Sequence, residues 1–138
     1  MTSMFYDCSA LYELDLSEFE TNNLLYANNL FYGCKSMENV KLDKFDTSKL
    51  TSFDYMFYKC SNITSLNLSS FTTDKVVSMK FMFNSCSSLA ELDLSNFNTK
   101  NCNSFTSMFT GVKNCKVTIL NKENNGLFLE NFKNIFSD

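Results

Sequence analysis

The sequence predicts an α/β fold, a right-handed solenoid of about four to five 26-residue strand-helix repeats closed by a C-terminal cap, with residues 1–138 forming a single domain. Three observations predict it. A Met-Phe-type pair recurs as Met4-Phe5, Leu30-Phe31, Met56-Phe57, Met82-Phe83 and Met108-Phe109, 26 residues apart each time and without insertion. Each repeat divides into a part whose apolar residues alternate and a part whose apolar residues follow helical spacing. Neither part can bury its apolar face alone, so the repeats must stack on one another.

The elements follow in chain order from the pair. A cysteine comes next at Cys8, Cys34, Cys60 and Cys86, then an aliphatic at Leu11, Met37, Ile63 and Leu89. The strand part holds Leu14, Val40, Leu66 and Leu92, followed by Leu16, Leu42, Leu68 and Leu94. In the first repeat this sets Leu14 and Leu16 inward and Glu13 and Asp15 outward. Phenylalanines at 19, 45, 71 and 97 and threonines at 21, 47, 73 and 99 complete the consensus MFxxCxxLxxLxLxxFxTxxhxxh, where h is apolar. Leu50, Phe53, Met56, Phe57 and Cys60 make one amphipathic stripe, which predicts a helix or helical turn. Thr47, just ahead of it, is placed to cap its first free amides. Strands would form a parallel sheet on one side and helices would line the other.

The last copy departs from the pattern. Val112 replaces the cysteine, Cys115 to Leu120 reads as a final edge strand, Asn121 to Gly126 as a polar turn, and Leu127 to Phe136 as a short amphipathic helix. Residues 112–138 are thus expected to cap the last core layer. The chain begins three residues before its first pair, which leaves Met4, Phe5, Leu11 and Leu14 in an open layer. That edge is expected either to associate with another chain or to continue into further repeats.

Composition excludes several functions. With no His among 138 residues, nucleophilic catalysis through histidine is impossible. Twelve basic against 15 acidic residues, in no long block, argue against nucleic acid. No apolar run approaches the roughly 18 residues that span a bilayer, so no membrane contact is expected within this chain. No signal peptide is expected either, since no basic region precedes an apolar stretch; a longer secreted parent would give the same sequence. No catalytic residue, cofactor or metal site is predicted, and the chain is not expected to be an enzyme.

Candidate protein-binding residues lie in two groups. The first is the row Tyr6, Tyr32 and Tyr58 with Tyr55 and Phe81 from a neighbouring column, an aromatic patch suited to contacts because tyrosine has one apolar and one wet end. Half-buried rim residues would give the same row. The second is the outward strand face, with Glu13, Asp15, Lys41, Glu91 and Asp93, polar and without aromatic anchors. It reads as a weak binding face or as plain solvated surface, with Asp15 paired to Lys41. The cysteines Cys8, Cys34, Cys60 and Cys86 read as a reduced structural ladder, because a line of thiols is a poor tetrahedral zinc site and a buried cysteine acts as a small hydrophobe. A disulfide is the alternative a secreted context would favour.

The Met-Phe, Cys, Leu, Phe and Thr columns resemble the BspA-like leucine-rich repeat surface proteins, in particular the 26-residue version of mycoplasma-type surface lipoproteins. The resemblance covers Met4 to about Leu120 and implies a leucine-rich-repeat-like fold. It further implies a cell-surface or secreted protein that binds host matrix or cell-surface glycoproteins, such as fibronectin and fibrinogen. It supplies no catalytic residue. The alternative function is a structural, self-assembling segment, a homo-oligomer joined through the N-terminal edge.

Overall fold

The computed structural model describes residues 1–134. Each alternating segment forms a very short strand: β1 (Glu13–Asp15), β2 (Asn39–Lys41), β3 (Ser65–Leu66), β4 (Glu91–Asp93) and β5 (Lys116–Thr118). They make two small parallel sheets, β1-β2 and β3-β4-β5. Equivalent residues of successive repeats face each other, Leu14 opposite Val40 and Leu66 opposite Leu92. In the last pair Leu92 faces Val117, so the final repeat is one residue shorter there. A second parallel line runs through the bridges Ser52 to Ser78 and Ser78 to Ser104.

The segment around each Met-Phe pair is not a helix. In the third repeat, Met56 N–H donates to Phe53, Tyr58 N–H to Tyr55 and Cys60 N–H to Phe57, each closing a four-residue turn. The alternate amides leave the repeat: Phe53 N–H donates to Ser78, Tyr55 to Lys80, Phe57 to Met82 and Lys59 to Asn84. Every second turn has positive φ at its third residue, the position a type II turn requires. Tyr55 (58°), Lys59 (59°), Phe81 (55°) and Ser85 (62°) are such residues, and Gly33 (74°) and Gly111 (84°) are their glycine counterparts.

The expected α/β solenoid of strand-helix repeats is therefore corrected. Among the described residues the one α-helix, α1 (Gly126–Asn131), lies outside the repeats and has six residues. The expectation failed because overlapping four-residue turns place apolar side chains on one side at nearly helical spacing. An α-helix would need every amide to bond within the segment, whereas here every second one joins the next repeat. The threonine column is corrected with it. Thr47 Oγ1 does not cap its own segment but donates to Thr72 O (2.8 Å) and accepts from Thr72 N–H (2.9 Å). Thr73 does the same with Asn98.

The core lies between the strands and the turn segments. Leu30, Met56, Met82 and Met108 are fully buried, as are the Phe45, Phe71 and Phe97 rings to within 2%. The second member of each pair stacks on its neighbours, Phe5 on Phe31, Phe31 on Phe57, Phe57 on Phe83 and Phe83 on Phe109, at 5.2–5.8 Å between centroids. Each buried ring of this stack, Phe31, Phe57, Phe83 and Phe109, contributes about 1.5–3 kcal/mol by burial, and stacking adds to that.

The two ends differ. After β5 come a 3₁₀ turn (Lys122–Asn124) and α1, and Phe128 meets Phe105 and Phe109 edge-on at 5.3 and 6.2 Å. Buried Asn125 stands where a further repeat's backbone would be: its Oδ1 accepts from the Thr99 N–H (3.0 Å) and hydroxyl (2.7 Å), and its Nδ2 donates to Phe97 O. The end of the expected cap and helix, 135–138, lies outside the described residues. At the N-terminal edge, Met4 is 52% and Phe19 46% exposed, unlike their buried column mates.

Gly111 tests the turn geometry. A Cβ there would sit 3.2 Å from Ser85 Cα, backbone that cannot retreat, on a left-handed conformation. Gly111→Ala should cost about 1–2 kcal/mol, read as a lower urea midpoint; an unchanged midpoint would contradict the tight turn.

Candidate functional site

The turn segments bring the predicted aromatic residues together. Tyr32 stacks between Tyr6 (4.5 Å, 11°) and Tyr58 (4.6 Å, 27°). Tyr55, in the left-handed position three residues before Tyr58, stacks on Phe81 at 4.8 Å and 7° and meets Tyr58 edge-on at 5.6 Å. The five rings form one continuous array. Tyr6 is 47% exposed, and Tyr32, Tyr55, Tyr58 and Phe81 are half-buried. Loss of water around Tyr32, then the neighbouring Tyr6 and Tyr58, raises its phenol pKa above the ordinary value. The array is thus fixed by its own stacking and presents a ladder of ring edges and hydroxyls.

Sequence reasoning missed one member of this surface. The Lys59 ammonium lies 5.2 Å over the Tyr58 ring, within reach of a cation–π contact. The signal was available, because Lys59 directly follows the tyrosine column.

The strand-face candidates are placed differently. Lys41 Nζ lies 3.0 Å from Asp15 Oδ2, an exposed pair of small energetic weight. Asp15 also accepts from the Ser17 hydroxyl (2.5 Å) and N–H (2.9 Å), and Ser17 first, then Lys41, holds its carboxyl well below the usual range. Asp93 accepts from Ser95 N–H (2.8 Å) in the same Asp-x-Ser turn. Both aspartates therefore serve the turn that ends their strand. Glu91 lies opposite Ser65 and Lys116, and with Asp93 it borders a shallow polar depression of about 390 Å3 over β3-β4-β5. Glu13, opposite Asn39 on the edge strand, is exposed. Among the described residues no ring contact, hydrogen bond or ion pair joins this face to the aromatic array.

The cysteine column is a hydrogen-bonded ladder. Cys34 donates its thiol to Phe5 O, Cys60 to Phe31 O and Cys86 to Phe57 O, each at 3.1 Å. Phe31 O also accepts from Cys34 N–H, so one carbonyl ties two repeats. All six cysteines are free thiols, Cys34, Cys60, Cys86 and Cys102 buried and Cys8 exposed at the open end. Burial pushes the Cys34 thiol up to about 11 and Cys86 to about 12, and raises Cys60 as well. Among the described residues no three His, Cys, Asp or Glu side chains group as metal ligands, and no helix is long and apolar enough to cross a membrane.

Residues 1–122 match the family described as "Mycoplasma protein of unknown function, DUF285". The chain belongs to the DUF285 family. The DUF285 match spans all five Met-Phe positions and β1 to β5, and it ends where the 3₁₀ turn begins. No curated protein and no solved structure matches the chain.

The thiol ladder sets a pH dependence. Below about pH 9 the buried thiols are protonated in both states, and their contribution to stability is complete. Above it the unfolded chain releases protons that the folded one retains until about 11–12, so stability falls as pH rises through that window. Urea midpoints should fall between pH 9 and 11, and at pH 8 a thiol reagent should label Cys8 well ahead of Cys34, Cys60 and Cys86. Equal labelling of all four in the folded chain would contradict the ladder.

Proposed function

We propose that this DUF285 chain is a non-catalytic adhesion module that presents an aromatic face to glycoproteins of a host or neighbouring cell. The observation that carries this reading is the half-exposed array of Tyr6, Tyr32, Tyr58, Tyr55 and Phe81, stacked at 4.5–4.8 Å along its two columns. Rings held by one another lose little freedom on binding, and tyrosine offers apolar area and a hydroxyl together, the properties of an interface anchor. The chain's resemblance to BspA-like leucine-rich repeat surface proteins supports the cell-surface or secreted placement and suggests matrix and plasma glycoproteins as partners.

A second reading, a structural segment that self-associates through its N-terminal edge, is favoured by the exposure of Met4 and Phe19, whose column mates are buried. On this reading the mass measured by light scattering rises with concentration and returns to monomer in Phe19→Lys. A chain that stays monomeric at every concentration excludes it.

The adhesion reading is tested by equilibrium binding of the reduced, monodisperse chain to immobilised fibronectin and fibrinogen. Saturable binding that weakens at least tenfold in Tyr32→Ala/Tyr58→Ala is expected. Absence of binding by folded protein, or binding indifferent to both substitutions, would overturn it.

A further inference from the structure

The polar contacts that dock the cap converge on one side chain. Asn125 is fully buried, and its amide makes five hydrogen bonds. Its Oδ1 accepts from the Thr99 N–H (3.0 Å) and hydroxyl (2.7 Å), and its Nδ2 donates to the carbonyls of Phe97 (3.1 Å), Leu120 (2.8 Å) and Asn121 (3.2 Å). One amide thus joins the fourth repeat to the chain that leads out of β5 and into α1. The site requires an acceptor on one side and donor hydrogens on the other, a combination that a carboxylate does not offer. A carboxylate there would set a charged oxygen against three carbonyls, away from water.

The residue that follows is Gly126, and Asn125-Gly126 is the chain's one Asn-Gly pair. A glycine obstructs least the attack of its own main-chain nitrogen on the side-chain amide before it, and nothing lies within 4 Å of the place a Cβ would take on Gly126. In that attack a bond forms from Gly126 N to Asn125 Cγ, the Cγ–Nδ2 bond breaks, the Gly126 amide proton goes to the departing nitrogen, and ammonia leaves. Water then opens the five-membered succinimide. Cleavage at Cγ gives aspartate, and cleavage at the main-chain carbonyl gives isoaspartate, whose backbone is one carbon longer.

The docked cap opposes the first step. Asn125 is held at ψ 20°, and closing the ring requires it to turn about that bond and to give up its five hydrogen bonds. The cap is also the part least able to stay closed by itself, because α1 has six residues and the 3₁₀ turn before it buries none.

We infer that Asn125-Gly126 is a self-modifying latch: docked, the cap protects the Asn125 amide, and once the cap opens, water replaces that amide through a succinimide and the cap no longer closes. Opening would uncover the Phe105 and Phe109 rings, on which Phe128 and Phe132 now rest, and leave an apolar layer exposed at this end too. The latch lies outside the aromatic array, and neither reading depends on the other.

The reaction is followed at pH 8 by peptide mapping and mass spectrometry of the full chain, folded and in urea. In urea Asn125 should be converted ahead of every other asparagine, and at least tenfold more slowly in Gly126→Ala. Conversion in the folded chain should be at least tenfold slower than in urea, and Phe128→Ala, which loosens the cap, should bring it back toward the urea rate. The isolated product, returned to folding conditions, and Asn125→Asp should both lose hydrogen-exchange protection at the Leu129 and Phe132 amides, which bond to Asn125 O and Phe128 O in α1. The Leu16 amide, bonded to Lys41 O between β1 and β2, should keep its own. Equal rates in the folded chain and in urea, a faster asparagine elsewhere in urea, or a product that retains protection in α1 would each overturn the assignment. If Asn125→Asp does not fold, the rates in the unsubstituted chain and in Gly126→Ala decide alone.

Discussion

The alternation of backbone amides in the turn segments is the constraint on which the rest of the structure depends. From Phe53 to Lys59 the odd-numbered N–H groups bond to the next repeat and the even-numbered ones from Met56 to Cys60 close turns within their own. This arrangement satisfies the buried backbone without a helix, and it forces a left-handed residue every fourth position. It also holds successive repeats at close spacing, so a residue type repeated every 26 positions becomes a stack of like side chains. The phenylalanine stack, the thiol-to-carbonyl ladder and the threonine pairs with the next repeat's backbone are three results of the same geometry.

That geometry divides the columns by the direction in which they point. Inward columns are filled by Phe, Leu, Met and Cys and explain stability. Outward columns cost little to vary, and there the repeats differ: tyrosine at 6, 32 and 58 gives way to Asn84 and Thr110, and lysine at 35 and 113 brackets Ser61 and Ser87. The aromatic array arises where such variation leaves compatible neighbours in adjacent repeats. The strand face lacks this, because its aspartates are held by the serines of their own turns.

Much of this was legible before any coordinates. The 26-residue period, the five strand positions, the parallel register and the buried columns all follow from the recurrence of residue types, and so does the meeting of Tyr6, Tyr32, Tyr58, Tyr55 and Phe81. The spacing favours a helix for a definite reason. The stripe Leu50, Phe53, Met56, Phe57 and Cys60 is buried in either conformation, so periodicity cannot separate an α-helix from a string of turns. Glycine would have flagged the left-handed positions, but Tyr55, Lys59, Phe81 and Ser85 occupy them in the middle repeats, and only Gly33 and Gly111 hint at the conformation. Sequence alone points Thr47 at its own segment, because its partner, the Thr72 backbone, is near only in space.

By itself, then, the sequence determined what repeats, which columns are apolar and which residues share a line, because identical spacing on a regular stack needs no coordinates to decode. Tertiary structure alone decided where the amides go and therefore that turns replace helices. It also decided that one carbonyl serves both an amide and a thiol. These are choices between a partner in the same turn and a partner in the next repeat, and only the packing of one repeat on the next distinguishes them.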